Sequence, residues 1–128
     1  MQVNNILLID DDDAIGLILN AVLSKSEVVK KFNFCLGGAE ALLFLKSSAE
    51  KNDFPEIVFV DLNMPEMDGY EFIPLYEDMF YEKYPNTKVI VVTSSSRLKD
   101  QQMALSFPSV KKYINKPLNE AKILSVME

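Results

Sequence analysis

The sequence predicts an α/β fold, a three-layer (βα)5 sandwich on a parallel five-stranded sheet. Short, unbroken apolar runs recur along its 128 residues, among them Ile6-Leu7-Leu8-Ile9 and Ile57-Val58-Phe59-Val60. Runs of this kind, apolar at every position, belong to strands buried on both faces, as parallel sheets are. Segments between them carry apolar residues at helical spacing, so strand and helix alternate as in βαβ units. Three of the strands end in a charge: Asp10 and Asp11 after the first, Asp61 after the third, Lys116 after the fifth.

Strand one is expected at Asn5 to Ile9. Ile15, Ile18, Leu19, Val22 and Leu23 then form the stripe of an amphipathic helix, with Asp12 and Asp13 at its start, where carboxylates favour the helix dipole. Strand two covers Lys31 to Leu36 and is closed by Gly37-Gly38. Helix two presents Ala41, Leu42, Leu45 and Ala49 on one side and is broken by Asn52, Asp53 and Pro55. Strand three is Glu56 to Val60. The loop Asn63-Met64-Pro65-Glu66-Met67-Asp68-Gly69 has turn chemistry.

Helix three carries Phe72, Leu75, Tyr76, Met79 and Phe80. Pro74 fits only in a first turn, so this helix is expected to start late or to bend. Strand four, Lys88 to Val92, runs into Thr93-Ser94-Ser95-Ser96. Helix four, Arg97 to Phe107, has only Leu98 and Leu105 well placed to hold it, which predicts a weakly anchored, movable element. Strand five is Lys111 to Asn115, and a last helix runs from Asn119 to Val126. Crossovers should be right-handed. The expected strand order is 2-1-3-4-5, the flavodoxin-like arrangement. No repeat or linker divides the chain, and residues 1–128 are read as one domain.

Composition excludes several classes of function. An apolar content of 48% supports a packed core. A net charge of −6 opposes direct binding to a nucleic acid. Without histidine the chain has no His-based acid–base chemistry, no His-ligated zinc and no phosphohistidine of its own. Its single cysteine, Cys35, cannot form an internal disulfide and is expected to pack as a small hydrophobe in a reducing compartment. No run is long enough to span a membrane, and Met1-Gln2-Val3-Asn4-Asn5 lacks the basic start of a signal peptide. A cytoplasmic protein is expected.

Chemistry concentrates at the strand ends. In open α/β sheets ligands bind outside the carboxyl ends of the strands. Asp10, Asp11, Asp61 and Lys116 would share that crevice. Several carboxylates with one ammonium suit a divalent cation together with a phosphoryl group. Crowded carboxylates oppose one another's ionisation, so without a metal at least one of Asp10, Asp11 and Asp61 should have a raised pKa.

In this arrangement the chain resembles the receiver domains of two-component response regulators, the CheY-like family. The resemblance rests on Ile6-Leu7-Leu8-Ile9-Asp10-Asp11, Val60-Asp61-Leu62-Asn63-Met64-Pro65 with Met67-Asp68-Gly69, Val92-Thr93-Ser94 and Tyr113-Ile114-Asn115-Lys116-Pro117, in that order. Each piece alone is common; all four, each after its own strand, are specific. The resemblance implies that Asp61 is the phosphoacceptor. It implies a Mg2+ site, open to Mn2+, formed by Asp10, Asp11, Asp61 and the backbone carbonyl of Asn63. Lys116, the Thr93 hydroxyl and the Ser94 N–H would contact the phosphoryl group, with Asn63 beside it. Thr93 and Tyr113 would be switch residues acting on the surface of helix four, strand five and helix five. Ser95 stands where the family tunes phosphoryl lifetime. The Lys116-Pro117 bond is commonly cis in the family.

The implied donor is a sensor histidine kinase or a histidine phosphotransfer protein. Other implications are an unspecified downstream target, no contact with membrane or nucleic acid, a monomer or phosphorylation-dependent dimer, and no output domain. Such a protein is a signalling domain rather than an enzyme, promoting only its own phosphorylation and dephosphorylation.

Two alternatives stay open. One is a pseudo-receiver, a binding module that keeps the fold but is not phosphorylated. The other is a Mg2+-dependent phosphohydrolase with an Asp nucleophile, disfavoured because Asn63 stands where such enzymes place a second Asp. Several residues also have plain structural readings. Asp12 and Asp13 read as helix-start residues, Asp68-Gly69 as a turn, Tyr113 as a half-buried strand aromatic, and Lys30-Lys31 as solvated charge.

Overall fold

The structure, a computed structural model, describes residues 5–127; residues 1–4, part of the segment read for a signal sequence, and Glu128 lie outside the described residues. The elements are β1 (Ile6–Ile9), α1 (Asp13–Leu23), β2 (Phe32–Cys35), α2 (Gly38–Glu50), β3 (Ile57–Asp61), α3 (Gly69–Tyr76), β4 (Lys88–Thr93), α4 (Leu98–Leu105), β5 (Val110–Asn115) and α5 (Glu120–Val126). All strand pairs are parallel, in the order β2-β1-β3-β4-β5. The (βα)5 expectation and its strand order hold.

The apolar runs fill both faces of the sheet by turns. Leu7, Ile9, Val58, Val60, Val89 and Val91 face α2, α3 and α4, meeting Leu45, Phe72, Tyr76 and Ala104. Ile6, Leu8, Ile57, Phe59, Ile90 and Val92 face the other way, against Leu19 and Leu23 of α1 and Ile123 and Val126 of α5. A fully buried Phe59 or Phe72 contributes ~2–3 kcal/mol by transfer alone. Lysines at 111 and 112 keep the outer edge of β5 exposed and charged.

The helix stripes are narrower than their spacing predicts. On α1, Ile18 and Val22 are exposed, and only Leu19, Leu23 and Gly16 are buried. Gly16 explains this: a Cβ there would lie 2.4 Å from the Phe34 ring, so α1 rides directly on β2 along one thin seam. Leu75 on α3 and Met79 just beyond it are likewise exposed. Pro74 is the sixth residue of α3, not in its first turn. Lacking an N–H, it breaks the regular ladder, and the chain continues as a π-helical turn, Glu77–Tyr81. On α4, Leu98 and Leu105 are exposed and Ala104 alone is buried, so neither predicted anchor holds it. Lys31 is exposed, as expected of a solvated charge, and also pairs with Asp53. Cys35 is buried as expected.

Candidate functional site

Parallel pairing brings the charged strand ends to one edge of the sheet. Asp61 is the last residue of β3, one residue further into the strand than its sequence predicts, and Asp10 follows β1. Both are buried, whereas Asp11 is exposed. Carboxylate oxygens of Asp10, Asp11 and Asp61 lie within 4.8 Å of one another. Lys116 Nζ is 2.9 Å from Asp61 Oδ2 and 3.3 Å from Asp10 Oδ2. The Lys116 backbone N–H donates to the Thr93 carbonyl at 2.8 Å, which fixes the lysine at the end of β4. The peptide bond between Lys116 and Pro117 is cis.

The carboxylates are held by backbone. Asp10 Oδ1 accepts from the Asp12 N–H at 2.9 Å, and Asp61 Oδ1 accepts from the Asn63 N–H at 3.1 Å. Asp12 in turn caps α1 by accepting from the Ala14 N–H, and Asp68 forms a capping box with Glu71 on α3. Their structural readings hold. Gly69 does more than turn the chain. A Cβ there would sit 2.9 Å from the Asp61 carbonyl oxygen and from Leu62 Cα, so the loop can pass behind Asp61 only without a side chain.

Burial raises the Asp61 pKa above the ordinary carboxylate value; Lys116 and the Asn63 N–H oppose this, and the Asp10 charge adds a little. The direction matches the sequence expectation, but the main cause is desolvation rather than crowding of like charges. Burial works against the Lys116 ammonium too, yet the bond and charge of Asp61, then of Asp10, outweigh it and hold its pKa above normal. The asymmetry follows from exposure. The lysine side chain is 32% exposed and the Asp61 side chain 3%.

Three carboxylates and one ammonium leave the site about two negative charges in excess. All its donors are hard oxygens, the set that suits Mg2+ or Mn2+. The residues present therefore fit such an ion. Beside the acids, Asp10 and Lys116 also border a cavity of about 320 Å³, lined further by Leu8, Ile15, Pro117 and Leu118.

Thr93, fully buried, ends β4, and its Oγ1 accepts from the Ser95 N–H at 3.1 Å. Ser94 is exposed at the start of the following turn. One extra residue in β5, opposite the Val89–Ile90 step, sets the register that puts Tyr113 across from Val91 and Asn115 across from Thr93. Tyr113 Oη donates to the Ser95 carbonyl at 2.8 Å. Every predicted site residue thus lies at the same edge. Sequence reasoning missed Asp100 and Tyr70, which join this turn through side chains. No local pattern connects residues 30 positions apart.

The sheet order, the acid cluster and the lysine that crosses it define a known class. The chain belongs to the response regulator receiver domain family, whose family model matches residues 6–128. It is a CheY-like receiver of the two-component type. The DNA-binding transcriptional regulator NtrC of Proteus hauseri is 27% identical over 128 residues, which cover all of this chain but 24% of that protein. The chain thus spans about a quarter of that relative's length.

Among solved structures, a two-component response regulator from Cytophaga hutchinsonii superposes with a TM-score of 0.89 at 26% identity, covering 99% of this chain and 96% of that one. The CheX–CheY complex with BeF3 and Mg2+ from Borrelia burgdorferi gives 0.78 at 25%, covering 96% and 85%. Receiver domains are signalling domains that bind Mg2+ at an acidic pocket and interact with histidine kinases and downstream targets. Among the described residues no helix is long and apolar enough to cross a membrane.

Proposed function

We propose that this chain is a phosphorylation switch in which Asp61 accepts a phosphoryl group from the phosphohistidine of a histidine kinase or histidine phosphotransfer protein. The observation that carries this reading is the convergence of Lys116 Nζ on Asp61 and Asp10, with Asp11 beside them. An Asp61 oxygen attacks phosphorus, the P–N bond of the donor breaks, and an acyl phosphate forms on Asp61. Asp10, Asp11, Asp61 and the Asn63 carbonyl would hold Mg2+, which when bound offsets the repulsion between carboxylate and phosphoryl group. Lys116 and the Thr93 hydroxyl neutralise the remaining oxygens, and the Ser94 N–H donates to one of them.

The Ser95 N–H occupies a lone pair of Thr93 Oγ1, so the hydroxyl hydrogen is free to serve as the donor. Thr93 and Tyr113 both bond to Ser95 and would pass the change to α4, β5 and α5. The downstream partner would read that surface.

Incubation with acetyl phosphate and Mg2+ should give one acid-labile phosphoryl adduct, mapped to Asp61 by mass spectrometry and absent from Asp61→Asn. An adduct on a hydroxyl, or none together with no binding of beryllofluoride, would favour the pseudo-receiver. Thr93→Ala should still be phosphorylated while partner affinity no longer responds to phosphorylation; an unaltered response would remove Thr93 from the switch.

A further inference from the structure

α4 has a single buried residue, Ala104, so apolar packing does little to hold it. A polar chain does so instead. Asp100, in the first turn of α4, accepts from Ser95 Oγ at 2.6 Å through Oδ2. Through Oδ1 it accepts from Tyr70 Oη at 3.0 Å, and Tyr70 is the second residue of α3.

Ser95 is committed on every side. Its N–H bonds Thr93 Oγ1, and its Oγ also accepts from the Arg97 N–H at 3.2 Å. Its carbonyl accepts from Tyr113 Oη and from Asn115 Nδ2, each at 2.8 Å. α4 and β5 therefore bond one turn residue directly, and α3 reaches it through Asp100, a carboxylate bridging two hydroxyls.

The chemistry of the joint is consistent with its geometry. The Ser95 and then the Tyr70 hydroxyl hold the Asp100 carboxyl below its ordinary value. Burial, then the bond to Asp100, pushes the Tyr70 hydroxyl up to about 12, so it remains a donor throughout the neutral range.

We propose that Asp100 is a positioning residue: by tying Ser95 of the β4–α4 turn to Tyr70 of α3, it holds Thr93 and Ser95 in the arrangement that receives a phosphoryl group. This rests on the reading of Asp61 and Thr93 given above. It adds α3 to the elements that govern the pocket. Asp100 touches neither the acids nor the lysine and acts only through Ser95. By reciprocity, a phosphoryl group on Asp61 that engages Thr93 should tighten the hold on α4.

The test uses beryllofluoride with Mg2+ as the phosphoryl mimic and compares the whole chain with Tyr70→Phe, Asp100→Asn and the double variant. Both positions are surface-proximal, and melting curves confirm folding. Removing either partner should weaken mimic binding about three- to tenfold, the effect of one net hydrogen bond. Amide exchange across residues 98–105 of the free protein should speed up in both variants. Because the two residues act through one contact, the double variant should lose no more than the weaker single variant.

Unchanged mimic affinity in both single variants, whatever α4 does, overturns the positioning role. Multiplying losses in the double variant overturn it as well. A wild-type chain that does not bind the mimic sinks the receiver reading and this role together, whereas normal wild-type binding with unaffected variants sinks only this role.

Discussion

Asp61 and Lys116 show how one pocket can treat two charges differently. The carboxylate is almost wholly enclosed, so burial dominates and disfavours its charge; the ammonium reaches water and gains from both acids. A nucleophile held in this way is destabilised relative to water yet kept in place by Lys116 and the Asn63 N–H. Cys35 shows burial without function. Desolvation, then the Glu40 charge, raises its thiol to about 12. Native protein at pH 8 should resist iodoacetamide and react fully only after denaturation; rapid native alkylation would contradict the burial. The sign of the linkage follows from the raised value. The folded chain keeps the Cys35 proton until about pH 12, whereas the unfolded thiol loses it at ~8.5. This contribution to stability is complete below the unfolded value and lost as pH rises through that window. Gly69→Ala should cost ~1–3 kcal/mol in chemical denaturation, because its Cβ would meet the backbone of the Asp61–Leu62 peptide, which cannot turn away, as well as the Leu62 side chain.

Among the elements, α3 and α4 are held by different means. α3 sinks Phe72, Ile73 and Tyr76 into the core beneath its capping box. Phe72→Ala should therefore lose ~3–5 kcal/mol. Leu98→Ala on α4 should stay within ~0.5 kcal/mol, since Leu98 is 66% exposed. Denaturant titration of the two variants checks the contrast, and comparable losses would show that α4 is anchored through its leucines after all. An element with one buried residue suits a role in which it must move at small cost. The π-helical turn after Pro74 has a local effect of its own. Its first residue, Glu77, accepts the Ser109 N–H at 2.8 Å through Oε2, tying the end of α3 to the start of β5.

At the scale of the whole molecule the acid edge is a liability that a dication removes. With three carboxylates against one ammonium, folding brings together like charges that the unfolded chain keeps apart. Mg2+ at about a hundred times its Kd should add ~2.7 kcal/mol to stability by mass action. For a chain of this size that is a rise of several degrees in Tm. Asp10→Asn should abolish most of the rise, and an unchanged melting temperature in the wild type would count against the site.

Amino-acid order alone determined the sheet and which charges gather at its edge. β1, β3 and β4 are legible because a strand covered on both faces is apolar at nearly every position. Asp10 and Asp61 are legible because a charge that closes such a run has to sit at the strand end, and Lys116 because Tyr113-Ile114-Asn115-Lys116-Pro117 resembles the end of the family's fifth strand. Helix faces were less legible. Ile18, Val22, Leu98 and Leu105 have the spacing of core residues yet are exposed, because burial depends on how closely and at what angle the helix approaches the sheet, and Gly16 against Phe34 sets that distance for α1. Only the tertiary structure decided that burial, more than repulsion, raises Asp61, that Gly69 is required behind it, and that Asp100 joins Tyr70 to Ser95. Periodicity reports contacts a few residues apart along the chain, whereas desolvation and side-chain bridges arise between segments that meet only once the sheet has formed.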